Sequence, residues 1–291
     1  MFEKFIGLDI GGTKIFMSVM KINFGRRSFE ILDSKKISNP KKAEEIREKI
    51  LEYCLKSKEN FDTNKVAVAS ASVVDKNKLN VFKTENIYGV ESFGFSFLKE
   101  NNFQVVVEND GKAFSLGAYY FNENEDKQGL LTITMGTGIG GGFIDSKGCV
   151  LNGMGNSATE FSHIKMFFNN KWIRWENISA ARGIRKEYLE KSGIKKTAQE
   201  IFSNVNNDKI AKEVVAKAQE YLGYGLANLI SSFNPEKIVF GGGISEEKDY
   251  LQGAIKIAEK NIFYEKSKPE WEISKLKEEI NVLGVCSLYY I

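Results

Sequence analysis

The chain has 291 residues, enough for two ordinary domains, and its 42% hydrophobic and 27% charged residues are the balance of a water-soluble globular protein. Its 41 Lys and Arg against 38 Asp and Glu leave a formal net charge of only +3, with the charges interspersed, which argues against nucleic-acid or membrane-surface binding. The three cysteines, Cys54, Cys149 and Cys286, lie far apart and never in a CxxC pair, so no disulfide framework or cysteine-based zinc site is expected and a cytoplasmic setting fits.

Residues 5–20, FIGLDIGGTKIFMSVM, are two apolar runs flanking Gly11-Gly12-Thr13, which predicts a hairpin with a glycine turn. The acid at position 3 and the lack of a long apolar core before the glycines predict a strand there, not a signal peptide. No apolar run approaches the roughly 18 residues that span a bilayer. Residues 41–56 place Ala43, Ile46, Ile50, Tyr53 and Cys54 at helical spacing among Lys and Glu, an amphipathic helix. KVAVASASVVD (65–75) predicts a buried strand leaving into a loop of small residues. VVVEND (105–110) predicts another, which runs straight into two acids and an amide; KAFSLGAYYF (112–121) predicts the helix after it. A buried strand gains nothing from ending in acids, whereas the carboxyl end of such a strand is where α/β proteins meet a ligand.

At 130–144, LLTITMGTGIGGGFI repeats the opening pattern of strand, glycine-dense turn and strand, a hint of internal duplication. Residues 208–233 predict a long helix closed by Asn234-Pro235, KIVFGGGIS (237–245) a strand entering a third glycine turn, and 246–263 a helix. The C-terminal EEINVLGVCSLYYI predicts a buried closing helix. With only 3 prolines and no Ser/Pro-rich linker, a domain boundary is expected at a tight crossover just past Asp110.

Glycine turns let backbone N–H groups converge on a phosphate without obstruction by Cβ. For Gly11-Gly12 alone a plain hairpin turn explains as much. Three such turns, each after an apolar strand, point to nucleotide phosphates. Gly136-Thr137-Gly138-Ile139-Gly140 is not a dinucleotide fingerprint, because strand and not helix follows it. The only Gly-Lys pair, Gly111-Lys112, is followed by Ala113, which excludes a Walker loop. The lone histidine, His163, precedes Ile164, which excludes a protein-kinase catalytic loop.

LDIGGTK (8–14), ENDGKA (108–113), TMGTGIGGG (134–142), GNSATEFSH (155–163) and NPEKIVFGGGIS (234–245) resemble, in order and spacing, the motifs of the ROK family, over nearly the whole chain. That family holds sugar kinases and repressors of the actin-like, hexokinase-like superfamily. The resemblance implies an α/β fold of two duplicated actin-like (ribonuclease H-like) domains closing over a ligand cleft. The first is expected at 1–112, completed by the C-terminal helix 278–291, and the second at 113–277. It further implies a homodimer that phosphorylates the 6-hydroxyl of a hexose or N-acylhexosamine with ATP, while the charge balance and hydropathy leave neither nucleic acid nor membrane as an expected partner.

By the same resemblance, Asp110 is the catalytic base and Asn109 a sugar ligand. Capping of the following helix is the plainer role for both and can coexist with it. Glu160 and His163, three apart, and Glu176 resemble the contacts to the sugar ring; for Glu176 a surface charge is the competing reading. Asp9 resembles the residue that steers Mg2+ through bound water, with oxygen the right ligand type. Gly11, Gly12, Thr13, Lys14, Gly136, Thr137 and Gly138 are the expected phosphate contacts, and Gly241, Gly242 and Gly243 the approach to adenine and ribose.

The chain departs from the pattern in three places. FFNNKWIRW (167–175) lacks the cysteines that hold a zinc in many members, so no zinc is expected and Trp172 and Trp175 are candidates to pack in its stead. Ser70-Ala71-Ser72 replaces a Pro-Gly, and Thr159 replaces the glycine before the sugar-site glutamate. The missing zinc loop points to N-acetylmannosamine as acceptor, with glucose, fructose, allose and N-acetylglucosamine as alternatives. With five residues ahead of Ile6, a helix-turn-helix repressor is not expected; a non-catalytic sugar sensor is the remaining rival.

Overall fold

Strands β1 (Glu3–Ile10) and β2 (Lys14–Asn23) pair antiparallel, with Ile10 opposite Ile15 across the expected glycine turn. The computed structural model describes residues 2–75, 77, 79–84, 87, 94–121 and 127–290. β3 (Ser28–Ser38) follows as an edge strand, with its outer face charged and exposed. α1 (Ala43–Phe61) outruns its expected end at residue 56 and buries Ile46, Ile50, Tyr53, Cys54 and Ser57 as one stripe. The run at 65–75 is two strands and not one. β4 (Lys65–Ser70) stays in the main sheet; at Ala71, whose N–H donates to Ile10 O at 3.1 Å, the chain leaves it. β5 (Ser72–Asp75) then pairs with β6 (Asn80–Thr84) in a separate ribbon.

After α2 (Ser96–Glu100), β7 (Gln104–Asn109) passes without a loop into α3 (Asp110–Phe121), two residues earlier than the sequence predicts. β8 (Leu130–Met135) and β9 (Ile139–Ile144) form the second glycine-turn hairpin, and β10 (Lys165–Phe168) and β11 (Lys171–Arg174) a separate two-stranded hairpin. There follow α4 (Glu176–Ser179), α5 (Ala181–Ser192), α6 (Ala198–Ser203) and α7 (Lys209–Phe233). α7 is capped by Asp208 and ends at Asn234 with φ +43. β12 (Lys237–Gly241), α8 (Lys248–Lys260), β13 (Glu270–Ile273) and α9 (Glu279–Ser287) complete the chain.

The chain forms two compact units, Met1–Asp126 with Gly148–Ala158 and Lys275–Ile291, and Lys127–Lys147 with Thr159–Ser274. The division after residue 126 replaces the one expected after 112. The cause is α3, which packs on α9: a β-carbon on Gly117 would overlap Ile280 O, and one on Gly284 would overlap Ala113 O. The helix carrying the Asp110 motif therefore belongs wholly to the first unit.

Each unit has its own sheet, and the two repeat one topology. The first runs β3-β2-β1-β4-β7, with β1 antiparallel to β2 and parallel to β4, and β4 parallel to β7. The second runs β9-β8-β12-β13 with the same senses. The hairpin, its glycine turn and the two parallel strands beside it thus recur, with β3 as an addition to the first. In the first unit alternate residues of β1 feed two cores. Ile6, Leu8 and Ile10 join α1 on one face, and Phe5 joins Ala113, Val282 and Leu283 on the other. The second unit has one core in which Leu131, Ile133 and Ile238 meet Val214, Leu222 and Leu226. Among the described residues no helix is long and apolar enough to cross a membrane.

Candidate active site

In the first unit the carboxyl ends of β1, β4 and β7 line up, with Asp9, Ala69 and Glu108 at one level. Asp110 lies two residues beyond, on the first turn of α3. Three parallel strand ends thus set Asp9 and Asp110 on one crest, where α/β sheets bind ligands. Burial pushes the Asp9 carboxyl up to about 7; the charge of Asp110 and then Glu278 adds to the rise, and the N–H of Asn281 opposes it. Asn281 Nδ2 donates to Asp9 Oδ2 at 3.0 Å. Burial likewise raises Asp110, against the backbone N–H bonds it accepts from its own turn. Two acids that each hold a proton more tightly than in water are the arrangement that acid–base chemistry uses.

Asn109 caps α3: its Oδ1 accepts from Lys112 N at 3.1 Å, and its Nδ2 donates to Ser72 O at 3.2 Å. Asp110 Oδ1 accepts from Gly111 N at 2.9 Å. The capping role expected as the plainer one is present for Asn109, whereas Asp110 stands inside the first turn and bonds the next N–H. The Gly11–Lys14 turn is closed by Gly11 N donating to Lys14 O at 3.0 Å. Asn39, buried, holds it from outside, with its Nδ2 on Gly11 O at 2.8 Å and its backbone N–H on Thr13 O at 2.9 Å. Sequence reasoning passed over Asn39, because nothing local ties a residue 28 positions away to that turn.

In the second unit the other two glycine turns sit side by side at the ends of β8 and β12, where Gly241 pairs with Thr134. Gly242, at φ +84, lies where a β-carbon would overlap Met135 O. Only glycine meets both demands. The Gly136–Gly138 turn is tied to the start of α5: Ala181 N and Arg182 N donate to Gly136 O and Thr137 O, each at 3.1 Å.

Glu176 is buried, which removes the surface-charge reading. Its Oε2 occupies the space that a β-carbon on Gly138 would take, and its Oε1 is 3.8 Å from the guanidinium groups of both Arg174 and Arg182. Neither arginine was anticipated from the sequence. Glu160 and His163 flank one tight turn, with His163 N donating to Glu160 O at 3.0 Å. Thr159 takes φ +65, the backbone expected of the glycine it replaces; for a β-branched residue this is a costly conformation. Of the two tryptophans proposed for packing, Trp175 does so, fully buried over Gly225 with its indole N–H on Tyr221 O at 2.9 Å. Trp172 does not: it is 68% exposed, against Phe167 on the hairpin's outer side.

For Mg2+, Asp9 and Asp110 offer hard oxygen, and the buried Oδ1 of Asn281 beside Asp9 has no hydrogen-bond partner among the described residues. No group of three acids, histidines or cysteines gathers there among the described residues. Mg2+ keeps several waters and takes one or two carboxylates with substrate phosphate, so the donor set fits.

A glucokinase of Halalkalibacterium halodurans is 29% identical to this chain, the alignment covering 87% of it and 84% of the relative. Two solved structures share the fold: a ROK glucokinase from Streptomyces griseus in complex with glucose and AMPPNP (TM-score 0.80, 24% identity, 98% and 99% of the two chains) and a Listeria monocytogenes protein named as a candidate N-acetylmannosamine kinase (TM-score 0.83, 24% identity, 97% of each chain). The family model for ROK matches residues 5–290, so the motifs quoted from the sequence and the duplicated actin-like fold converge: the chain belongs to the ROK family.

Proposed function

We propose that the chain is an ATP-dependent sugar kinase that phosphorylates the 6-hydroxyl of a hexose or N-acylhexosamine. The observation that carries this reading is the placement of Asp110, a half-buried acid of raised proton affinity, beside Asp9 and the first glycine turn. Asp110 takes the proton of the hydroxyl as its oxygen bonds to the γ-phosphorus, and the bond from that phosphorus to the β-γ bridging oxygen breaks to release ADP. Such a transition state is loose, so positioning and charge neutralisation matter most. The base adds on the order of 10²–10⁴-fold.

Gly11, Gly12, Thr13, Lys14, Gly136, Thr137 and Gly138 are the proposed phosphate contacts, and Gly241, Gly242 and Gly243 those to adenosine. Asn109, Glu160, His163 and Glu176 are proposed to bind the sugar, carboxylates being suited to hydroxyl pairs. Asp9, helped by Asn281, would hold Mg2+ through water, and the ion supplies charge neutralisation on the phosphates. N-acetylmannosamine is the first acceptor to test, supported by the loop that lacks zinc ligands and by the fold likeness to the Listeria protein. Glucose is the second, supported by the Halalkalibacterium relative.

An ADP-release assay across N-acetylmannosamine, glucose, N-acetylglucosamine, mannose, fructose and allose tests the reading. One of these sugars should stimulate turnover, and Asp110→Asn should lower kcat at least 100-fold with ATP and sugar affinities kept. Turnover by Asp110→Asn at the parent rate would remove the base; no stimulation by any of these sugars would remove the proposed 6-hydroxyl acceptor class.

A further inference from the structure

We infer that Lys112, Asn156 and Glu108 form a buried latch that positions the chain segment leading into Glu160 against the strand end carrying Asn109 and Asp110. The inference rests on the kinase reading for its consequence and on geometry for its parts. Glu108 and Lys112 flank Asp110 at two residues on either side, and they are 0% and 1% exposed. Polar groups so buried cost stability unless they are hydrogen-bonded. The Lys112 ammonium donates to Asn156 O at 2.6 Å, to Asn156 Oδ1 at 2.9 Å and to Asn152 O at 3.5 Å. Asn156 Nδ2 donates to Glu108 Oε1 at 3.3 Å and to Val74 O at 3.2 Å. The same Glu108 oxygen accepts from Asn109 N at 2.9 Å.

One asparagine therefore bridges the Lys112 amine and the Glu108 carboxyl group, and the same carboxyl oxygen holds the backbone N–H beside the base. Asn156 sits at φ +59, a conformation asparagine accepts more readily than most residues, directly after Gly155 at φ +62 and three residues after Gly153 at φ +65. These bonds join Gly148–Ala158 to β5, β7 and α3 of the first unit, although the chain on both sides of that segment belongs to the second. Ala158 is followed directly by Thr159 and Glu160. The latch thus fixes the point from which the sugar-binding stretch departs. Lys112 and Asn156 are positioning residues; neither need touch a substrate.

The test is Lys112→Met, Asn156→Gly and the double variant, with steady-state kinetics against both substrates. Asn156→Gly keeps the left-handed backbone and removes only the bridge, so it carries the test if Lys112→Met does not fold. Each single variant should raise the sugar KM about tenfold with the ATP KM within twofold, and the double variant should be no worse than the worse single, since one latch is broken only once. An unchanged sugar KM, or equal rises in both KM values, overturns the latch and leaves the kinase reading standing. If the parent protein phosphorylates no sugar, the kinase reading falls, and chymotrypsin cleavage at the exposed Leu151 and Met154 reads the latch alone. Faster cutting in the variants supports it and an unchanged rate overturns it.

Discussion

Asp9 shows how one side chain can be costly to the fold and useful to the chemistry. Its carboxyl is held near 7, first by burial and then by Asp110, whereas in an unfolded chain it titrates near about 3.9. Between those values the folded protein keeps a proton that the unfolded chain has lost. The carboxyl therefore destabilises the fold progressively as pH rises from about 4 to about 7, and no further above. Asp110 is raised by burial too and acts in the same sense. In the ligand-free protein, Asp9→Asn should match the parent in thermal stability near pH 4 and exceed it near pH 8, the gap opening through pH 5–7 and reaching a few kcal/mol at about 1.4 kcal/mol per pKa unit. Melting curves at pH 4, 6 and 8 check this, and a gap that does not widen with pH would refute the environment assigned to Asp9. Phosphorylation should fall in the same variant, because the stabilised protein has lost its proposed link to Mg2+. Residues of this kind were legible from the sequence wherever an acid interrupts a buried apolar strand. Lys112 and Asn281 were not, and neither was the partner of Glu108, because a charged or amide side chain ordinarily lies in solvent and only a partner distant in sequence makes it buried.

At the scale of elements, the strand–helix joint at Asn109-Asp110 depends on a second helix that the motif does not mention. α3 and α9 approach so closely that Gly117 and Gly284 each stand where a β-carbon would meet the other helix's backbone. Gly284→Ala adds a methyl group against Ala113 O, three residues after Asp110, and backbone cannot step aside as a flexible side chain can. The substitution should destabilise the protein by about 1–3 kcal/mol, as overpacking does, and lower kcat by displacing the start of α3. Urea denaturation with parallel kinetics measures both, and wild-type values in both would show that the two helices do not constrain each other. The hairpins and the buried parallel strands could be read locally because apolar runs broken by glycine are a local signal. β3 could not, since an edge strand with charged residues on its outer face has the composition of a loop. The split at Ala71 was missed for a related reason: small residues looked like a loop, yet they let the chain bend from one sheet into another.

At the scale of the whole molecule, the repeated sheet topology explains why two glycine-turn hairpins occur in one sequence, and it makes the chain's last segment essential to its first unit. The C-terminal stretch reads locally as a buried helix, and its place in the first unit was legible only through the family resemblance, because no local pattern encodes a long-range contact. α9 packs on the face of the first sheet where Val282 fills the space beside Gly7, and it buries Ile280, Val282, Leu283 and Val285 completely or nearly so. Tyr290 adds a bond from its hydroxyl to Glu3 Oε1 at 2.6 Å. Four aliphatic side chains at about 2 kcal/mol each contribute about 8 kcal/mol, the size of a typical net stability of about 5–15 kcal/mol. The second unit's core contains none of these residues. Ending the chain at Ser274 should therefore unfold the first unit and spare the second. The expected record is loss of roughly half the native amide protection in hydrogen exchange, confined to residues 2–121 and 148–158, together with binding of a hydrophobic dye. Protection retained at β1, β4 and β7 in the truncated chain would mean that the first sheet is stable without α9. It would also mean that the close approach of glycines 7, 117 and 284 is incidental to how Asp9 and Asp110 are held.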